Sequence, residues 1–215
     1  MWAVAAIPFK DPKEAFEKVL EAKDLGADAV ELRLDYWLET SLPPFEEIAS
    51  KAKELGLEVI VTVRNPAEGG EWVPPWRDEA YKKANDMGLI CDVEAKIMKK
   101  PPCKRTIASV HYFDDFPAPG DIRVLSEMVK DAWAFKLAVM ISPNEFPEFL
   151  KRVQEIVHER KAFMPMGKGT ERLRLACAAM GSFLNYGSLG EATAPGQVPL
   201  KVLVKVLNAV RELRI

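Results

Sequence analysis

Lys136 and His111 are the residues of this sequence whose types and surroundings point to chemistry done by side chains alone. Lys136 follows Ala134 and Phe135 and precedes Leu137, Ala138, Val139 and Met140, an apolar setting expected to disfavour its ammonium form. A neutral amine is a nucleophile towards carbonyl carbon. An interior lysine neutralised by a carboxylate such as Glu94 accounts for the same residue without chemistry. His111 ends TIASVHYF, and a near-neutral imidazole moves protons in both directions, although a packed structural histidine fits the pattern equally well. The other histidine, His158 in VQEIVHERK, is expected in the last turn of a helix, where a cation complements the dipole, and is set aside.

These residues need elements to position them. Apolar runs of strand type alternate with helical patterns along the chain: WAVAAI, PKEAFEKVLEAKDLG, ADAVELRLD, PFEEIASKAKELG and LEVIVTVR open the series. WRDEAYKKANDMG, LICDVEA, TIASVHYF, GDIRVLSEMVKDA and WAFKLAVM continue it. SPNEFPEFLKRVQEIVHER, with Ser142 as N-cap before Pro143, is followed by KAFMPM, TERLRLACAAMG, SFLNYG and PLKVLVKVLNAVREL. Eight strands and about eight helices in βα order predict an α/β fold, a (β/α)8 TIM barrel spanning residues 1–215 as one compact domain, with a doubly wound open sheet as the alternative. Gly26 and Gly56, each between a helix and a strand, are expected as left-handed C-caps.

Strand side chains alternate with period two, so Val30, Leu32 and Leu34 share one face and Glu31, Arg33 and Asp35 the other. A barrel must turn its apolar face outwards to its helices, which sends the charges inwards. The pattern recurs at Thr62 and Arg64, at Asp92 and Glu94, at Ser109 and His111, and at Lys136. Most of these fall at strand C-terminal ends, where barrel active sites are assembled, and predict one polar pocket.

RNPAEGG places Arg64 and Glu68 in the loop after the third strand, with two glycines for a sharp turn or close approach. Arg174 in GTERLRLACAAMG has no feature separating it from the neighbouring surface Arg172. GSLGEATAPGQ has the small and polar residues of a lid over a barrel mouth, or of an ordinary surface loop.

The 215 residues carry 30 Lys and Arg against 32 Asp and Glu, a net charge of −2 with no like-charge run, which favours a small-molecule substrate over nucleic acid or a membrane surface. The apolar N-terminal run stops at Pro8, too short for a signal or a span. Cys91, Cys103 and Cys177 are odd in number and outside any CxxC pattern, so neither a disulfide nor a zinc site is expected and a reducing cytoplasm is. GxxxxGK[ST], GxGxxG after a strand and HExxH are all absent, leaving the chemistry to side chains.

Taken in order, VELRLD, TVRNPAEGG, SVHYF, FKLAVM, MPMGKGTERLRLACAAMGS and TAPGQ resemble the motif series of the type I 3-dehydroquinate dehydratases, from about the second strand to the last loop. The resemblance implies dehydration of 3-dehydroquinate to 3-dehydroshikimate in the shikimate route to aromatic amino acids, without metal or organic cofactor. It makes Lys136 the Schiff-base lysine, His111 the general acid and base, and Glu68 the carboxylate that orients and tunes His111. It puts Glu31, Arg33 and Arg64 along the polyol and carboxylate site, makes Arg174 the carboxylate-binding arginine, and has Thr193 and Gln197 close from the lid. Thr193 stands where members often have serine, and keeps the hydroxyl. Members are often dimers, so a homodimer is the implied assembly. Longer members plug the barrel floor with an N-terminal hairpin that has no counterpart from Met1 onwards, which leaves floor closure to the structure. A Schiff-base aldolase would keep Lys136 but want a phosphate site, which MGKG imitates and TAPGQ does not. A silent barrel binding a sugar acid would have no need of Lys136, His111 and Glu68 together.

Overall fold

A computed structural model describes residues 1–190 and 192–213; Glu191 of the expected lid, and Arg214 and Ile215, lie outside the described residues. Eight strands run parallel: β1 (Trp2–Pro8), β2 (Ala29–Arg33), β3 (Glu58–Thr62), β4 (Ile90–Glu94), β5 (Arg105–Tyr112), β6 (Ala134–Met140), β7 (Lys161–Met166) and β8 (Leu184–Ser188). A two-residue β9 (Val198–Pro199) pairs with the end of β8. The ladder follows the order β7-β6-β5-β4-β3-β2-β1-β8-β9, the sequential winding of a barrel. Between β7 and β8 the barrel is joined at its lower end, where Phe183 N donates to Lys161 O at 2.9 Å and Phe163 N to Ser182 Oγ at 3.0 Å.

Seven α-helices surround the sheet among the described residues: α1 (Pro12–Asp24), α2 (Phe45–Glu54), α3 (Arg77–Asp86), α4 (Asp121–Met128), α5 (Phe146–Gln154), α6 (Glu171–Ala179) and α7 (Leu200–Glu212). The count is one short of a full set because no helix joins β4 to β5. The connection carries Pro101 and Pro102 and no apolar stripe, so a helix there would lose donors and have nothing to bury. Gly26 and Gly56 do cap α1 and α2, with φ of 84° and 78°. Around Gly26, Gly26 N donates to Lys23 O and Ala27 N to Ala22 O, each at 3.0 Å, satisfying carbonyls that the helix leaves bare.

Three expectations are corrected. Ser142 forms its capping box with Glu145, but on a 3-10 turn, Pro143–Glu145, that leads into α5. Because α5 stops at Gln154, His158 is not in its last turn; it sits on the following loop, with Nε2 2.9 Å from Ala132 O and Nδ1 accepting from Arg160 N at 3.1 Å. Cys91 and Cys103 are joined by a disulfide across a Cα separation of 6.0 Å. The β4–β5 connection returns to its own strand and brings the two together, which spacing alone does not reveal, and the cysteine count loses its force as an argument for a reducing compartment. No helix among the described residues is long and apolar enough to cross a membrane.

Two layers of apolar contact hold the barrel. Outward-facing residues such as Val30, Leu32, Val59, Val61, Phe135 and Leu137 pack under the helices, while Val4, Ala29, Ile60, Ile90, Ile107 and Ala134 fill the interior below the charged groups. The floor is closed by aromatic rings where the strands begin. Trp2, Trp133 and Phe183 meet with centroids 5.3 to 5.6 Å apart, and the guanidinium groups of Arg105 and Arg160 lie over Trp133. This trio does the work of a plug. Trp133→Ala should therefore destabilise the fold by about 2–4 kcal/mol, read by chemical denaturation, while leaving chemistry at the far end of the barrel unchanged. Unchanged stability would remove the trio from this role.

Candidate active site

Each charged side chain in the barrel mouth is set there by its place in a strand. Lys136 is the third residue of β6, and its neighbours Phe135 and Leu137 take the outer face. Its Nζ meets Asp92 Oδ2 of β4 at 2.8 Å, with Glu31 Oε1 at 4.0 Å and the ring of Tyr186 4.2 Å away. The lysine partner is thus Asp92, where Glu94 had been weighed from sequence. The apolar residues flanking Lys136 in sequence face the helices, so its head group meets carboxylates and a ring face instead.

Asp92 in turn accepts from Arg64 Nη2 at 2.6 Å and Ser109 Oγ at 2.5 Å. Arg64 Nη1 also reaches Ser109 Oγ at 2.8 Å and Glu94 Oε1 at 3.1 Å, and Glu94 is paired with Arg77. Burial alone would raise the Asp92 carboxyl, but the charges of Arg64 and Lys136 outweigh it and hold Asp92 well below the usual carboxylate range. Arg64 is raised by the same partners against its own desolvation. Glu31 accepts from Thr62 Oγ1 at 2.8 Å, and Arg33 grips Asp35 with Nε and Nη2 at 2.9 and 2.8 Å.

His111 and Glu68 form a second unit. Glu68 Oε2 accepts the His111 backbone N–H at 2.9 Å and lies 3.0 Å from Nδ1, so one carboxylate oxygen ties the ring to its own backbone. Glu68 reaches there from a short 3-10 turn, Pro66–Glu68, which the Asn65 side chain caps. The turn then doubles back through two glycines. Gly69 has φ of 83°, and a Cβ on Gly70 would fall 1.9 Å from Arg64 O, so both demands expected of this loop are met. Burial pushes the Glu68 carboxyl up to about 7, while burial and the charges of Arg64 and Lys136 hold the His111 imidazole well below its usual value. A neutral imidazole beside a carboxyl that titrates near neutrality can take a proton and return it.

Arg174 separates from Arg172 through burial. Its Nε donates to Pro165 O at 2.8 Å, Nη1 is buried without a hydrogen-bond partner among the described residues, and burial lowers its pKa to about 10. An under-satisfied guanidinium facing a cavity is a ready anion site. The β8–β9 loop seats over the β7–α6 turn: Pro195 O accepts from Gly167 N, and a Cβ on Gly196 would fall 2.4 Å from Thr170 Oγ1. Within this loop, Thr193 N and Oγ1 both donate to Gln197 Oε1, at 2.9 and 3.3 Å.

All nine residues singled out from sequence, Glu31, Arg33, Arg64, Glu68, His111, Lys136, Arg174, Thr193 and Gln197, line one cavity at the barrel mouth. Asp92 and Tyr186 were missed as functional groups. Strand alternation had already turned Asp92 inwards, but nothing local shows which cation it meets. Among the described residues no group of three or more His, Cys, Asp or Glu side chains is placed to hold a metal ion.

A sequence model described as type I 3-dehydroquinase matches residues 3–214. The chain is 54% identical over 211 residues to the 3-dehydroquinate dehydratase of Ignicoccus hospitalis, covering 97% of each. It is 33% identical over 211 residues to that of Aquifex aeolicus, covering 94% of this chain and 95% of that one. The crystal structure of the Aquifex aeolicus enzyme superposes with a TM-score of 0.80 and 30% identity over 100% of both chains.

Removing the carboxylate that anchors the mouth has a definite expected outcome. Asp92→Ala leaves the cations of Lys136 and Arg64 buried and short of a partner, and should cost about 3–5 kcal/mol of folding free energy by denaturant titration. An unfolding curve unchanged from wild type would contradict that role.

Proposed function

The chain belongs to the type I 3-dehydroquinase family, a family of hydro-lyases, and we propose that it dehydrates 3-dehydroquinate to 3-dehydroshikimate through an imine on Lys136. The observation that carries the proposal is the convergence of Lys136, the His111–Glu68 pair and the unsatisfied Arg174 on a single cavity.

Arg174 takes the substrate carboxylate, which supplies the charge that Nη1 lacks. Glu31 and Arg33 face the ring hydroxyls, and Thr193 and Gln197 close over them from the lid. Arg64 has both terminal nitrogens engaged by Asp92, Glu94 and Ser109, so it acts by holding the carboxylate that holds Lys136. The amine of Lys136 adds to the ketone carbon, water leaves, and the iminium draws electrons from the neighbouring carbon. His111 removes a proton from that carbon, and Glu68 stabilises the imidazolium formed in transit. His111 returns the proton to the departing hydroxyl as the ring double bond forms, and hydrolysis of the imine frees the enone and the lysine. Substrate therefore divides into product and one water.

An aldolase needs a phosphate site above β7 and β8. Here Gly167 N is already bonded to the lid, Thr170 Oγ1 donates to Gly167 O at 2.7 Å, and Gly169 N faces the Glu171 carboxylate. The Gly167, Gly169 and Thr170 donors of the turn are engaged within the protein, which supports the dehydratase. On the same premise the reaction belongs to the shikimate route to aromatic amino acids, in the cytoplasm, with a second copy of the chain as partner.

Borohydride added to protein and 3-dehydroquinate should fix a ligand-sized adduct to Lys136, found by intact mass and peptide mapping. Lys136→Ala should abolish dehydration in a folded barrel. His111→Ala should slow it by about 10²–10⁴-fold while still allowing the adduct. Full activity in the lysine variant would end the mechanism. The pH dependence is a separate test. Glu68 is ionised above about 7 and His111 is neutral there, so kcat/KM should rise with pH through about 7. Glu68→Gln should lower the plateau and remove that limb, and an unchanged profile would place the titrating group elsewhere.

A further inference from the structure

Tyr186 stands in the middle of β8, paired in register with Val4 of β1 and pointing into the barrel beside Lys136. The flat face of its ring lies 4.2 Å from Lys136 Nζ, where a cation gains from the ring's quadrupole. Its hydroxyl is different in kind. It is buried and has no hydrogen-bond partner among the described residues, a condition that native proteins tolerate rarely and at a cost. A phenylalanine would pack the same ring against the same lysine without that penalty. The hydroxyl has a donor and an acceptor to offer to whatever enters the site, and Tyr186 lines the cavity that the substrate would fill.

The position of the ring narrows what the hydroxyl meets. Its face lies against Lys136 Nζ, the nitrogen proposed to join the ketone carbon, and Glu31, assigned to the ring hydroxyls, lies 4.0 Å from the same nitrogen. The phenol therefore stands beside the substrate ring. Burial, then Glu31 and Asp92, keep the phenol protonated far above neutral pH, so it is available there as a donor.

We propose that the Tyr186 hydroxyl is a further substrate-binding group, donating a hydrogen bond to a ring hydroxyl of the polyol substrate while its ring seats the Lys136 head group. This rests on the dehydratase reading and adds to it a residue that selects for an oxygen at one ring position. A ligand lacking that oxygen leaves the phenol unpaired and is rejected.

Tyr186→Phe separates this role from a structural one, because the two readings move stability and affinity in opposite directions. The variant should melt about 2–4 °C higher, since it sheds an unsatisfied buried group. Its KM for 3-dehydroquinate should rise roughly two- to tenfold with kcat nearly kept, the loss expected of one neutral hydrogen bond. Binding of quinate, the alcohol corresponding to the substrate ketone, should weaken by a similar factor in calorimetry without any imine forming. An active wild type whose KM and quinate affinity are unchanged in the variant would overturn this inference alone. A wild type that does not dehydrate 3-dehydroquinate would overturn the dehydratase reading and this inference with it.

Discussion

The ion pair between Lys136 and Asp92, 2.8 Å long and buried at the barrel mouth, is the constraint around which the other polar groups are arranged. A charge this deep needs a counter-charge and further hydrogen bonds to be tolerated. Asp92 is given them by Arg64 and Ser109, Arg64 is balanced by Glu94, and Glu94 by Arg77. The chain of pairing passes across β3, β4, β5 and β6, so the register of four strands is tied to one lysine. The cluster also suits the proposed chemistry. Ammonium and iminium carry the same charge on the same nitrogen, so the network that stabilises one stabilises the other without rearranging.

The His111–Glu68 pair sits next to that network but is governed by different physics. Burial raises the Glu68 carboxyl against the pull of Arg64, burial and the neighbouring cations keep the His111 imidazole neutral, and the pair is held together through the His111 backbone N–H and Nδ1. The 3-10 turn and the two glycines after it allow the chain to bring Glu68 over the end of β5. A loop with any side chain at Gly70 would collide with the carbonyl of Arg64, so the His111–Glu68 pair and the lysine network share a backbone constraint.

Much of this was legible in the sequence. The βα order, the alternation that turns Glu31, Arg33, Arg64, Asp92, His111 and Lys136 to one side, and the glycine caps follow from periods of two and 3.6 residues and from the conformational demands of glycine. The family resemblance then identified Arg174 among the arginines of α6, which spacing did not. Other features were not legible, because they depend on contacts between distant segments. These include the choice of Asp92 over Glu94 as lysine partner, the Cys91–Cys103 bond, the aromatic floor and the missing helix between β4 and β5.

By itself, then, the sequence determined which side chains face the interior and that a lysine, a histidine and a carboxylate would be available there, because local periodicity decides facing. Only the tertiary structure decided which charges pair, which cavity-facing groups stay unsatisfied, and which rings close the floor. Pairing depends on the stagger between strands when the sheet curls into a barrel, and that stagger is a property of the closed sheet, not of any one segment.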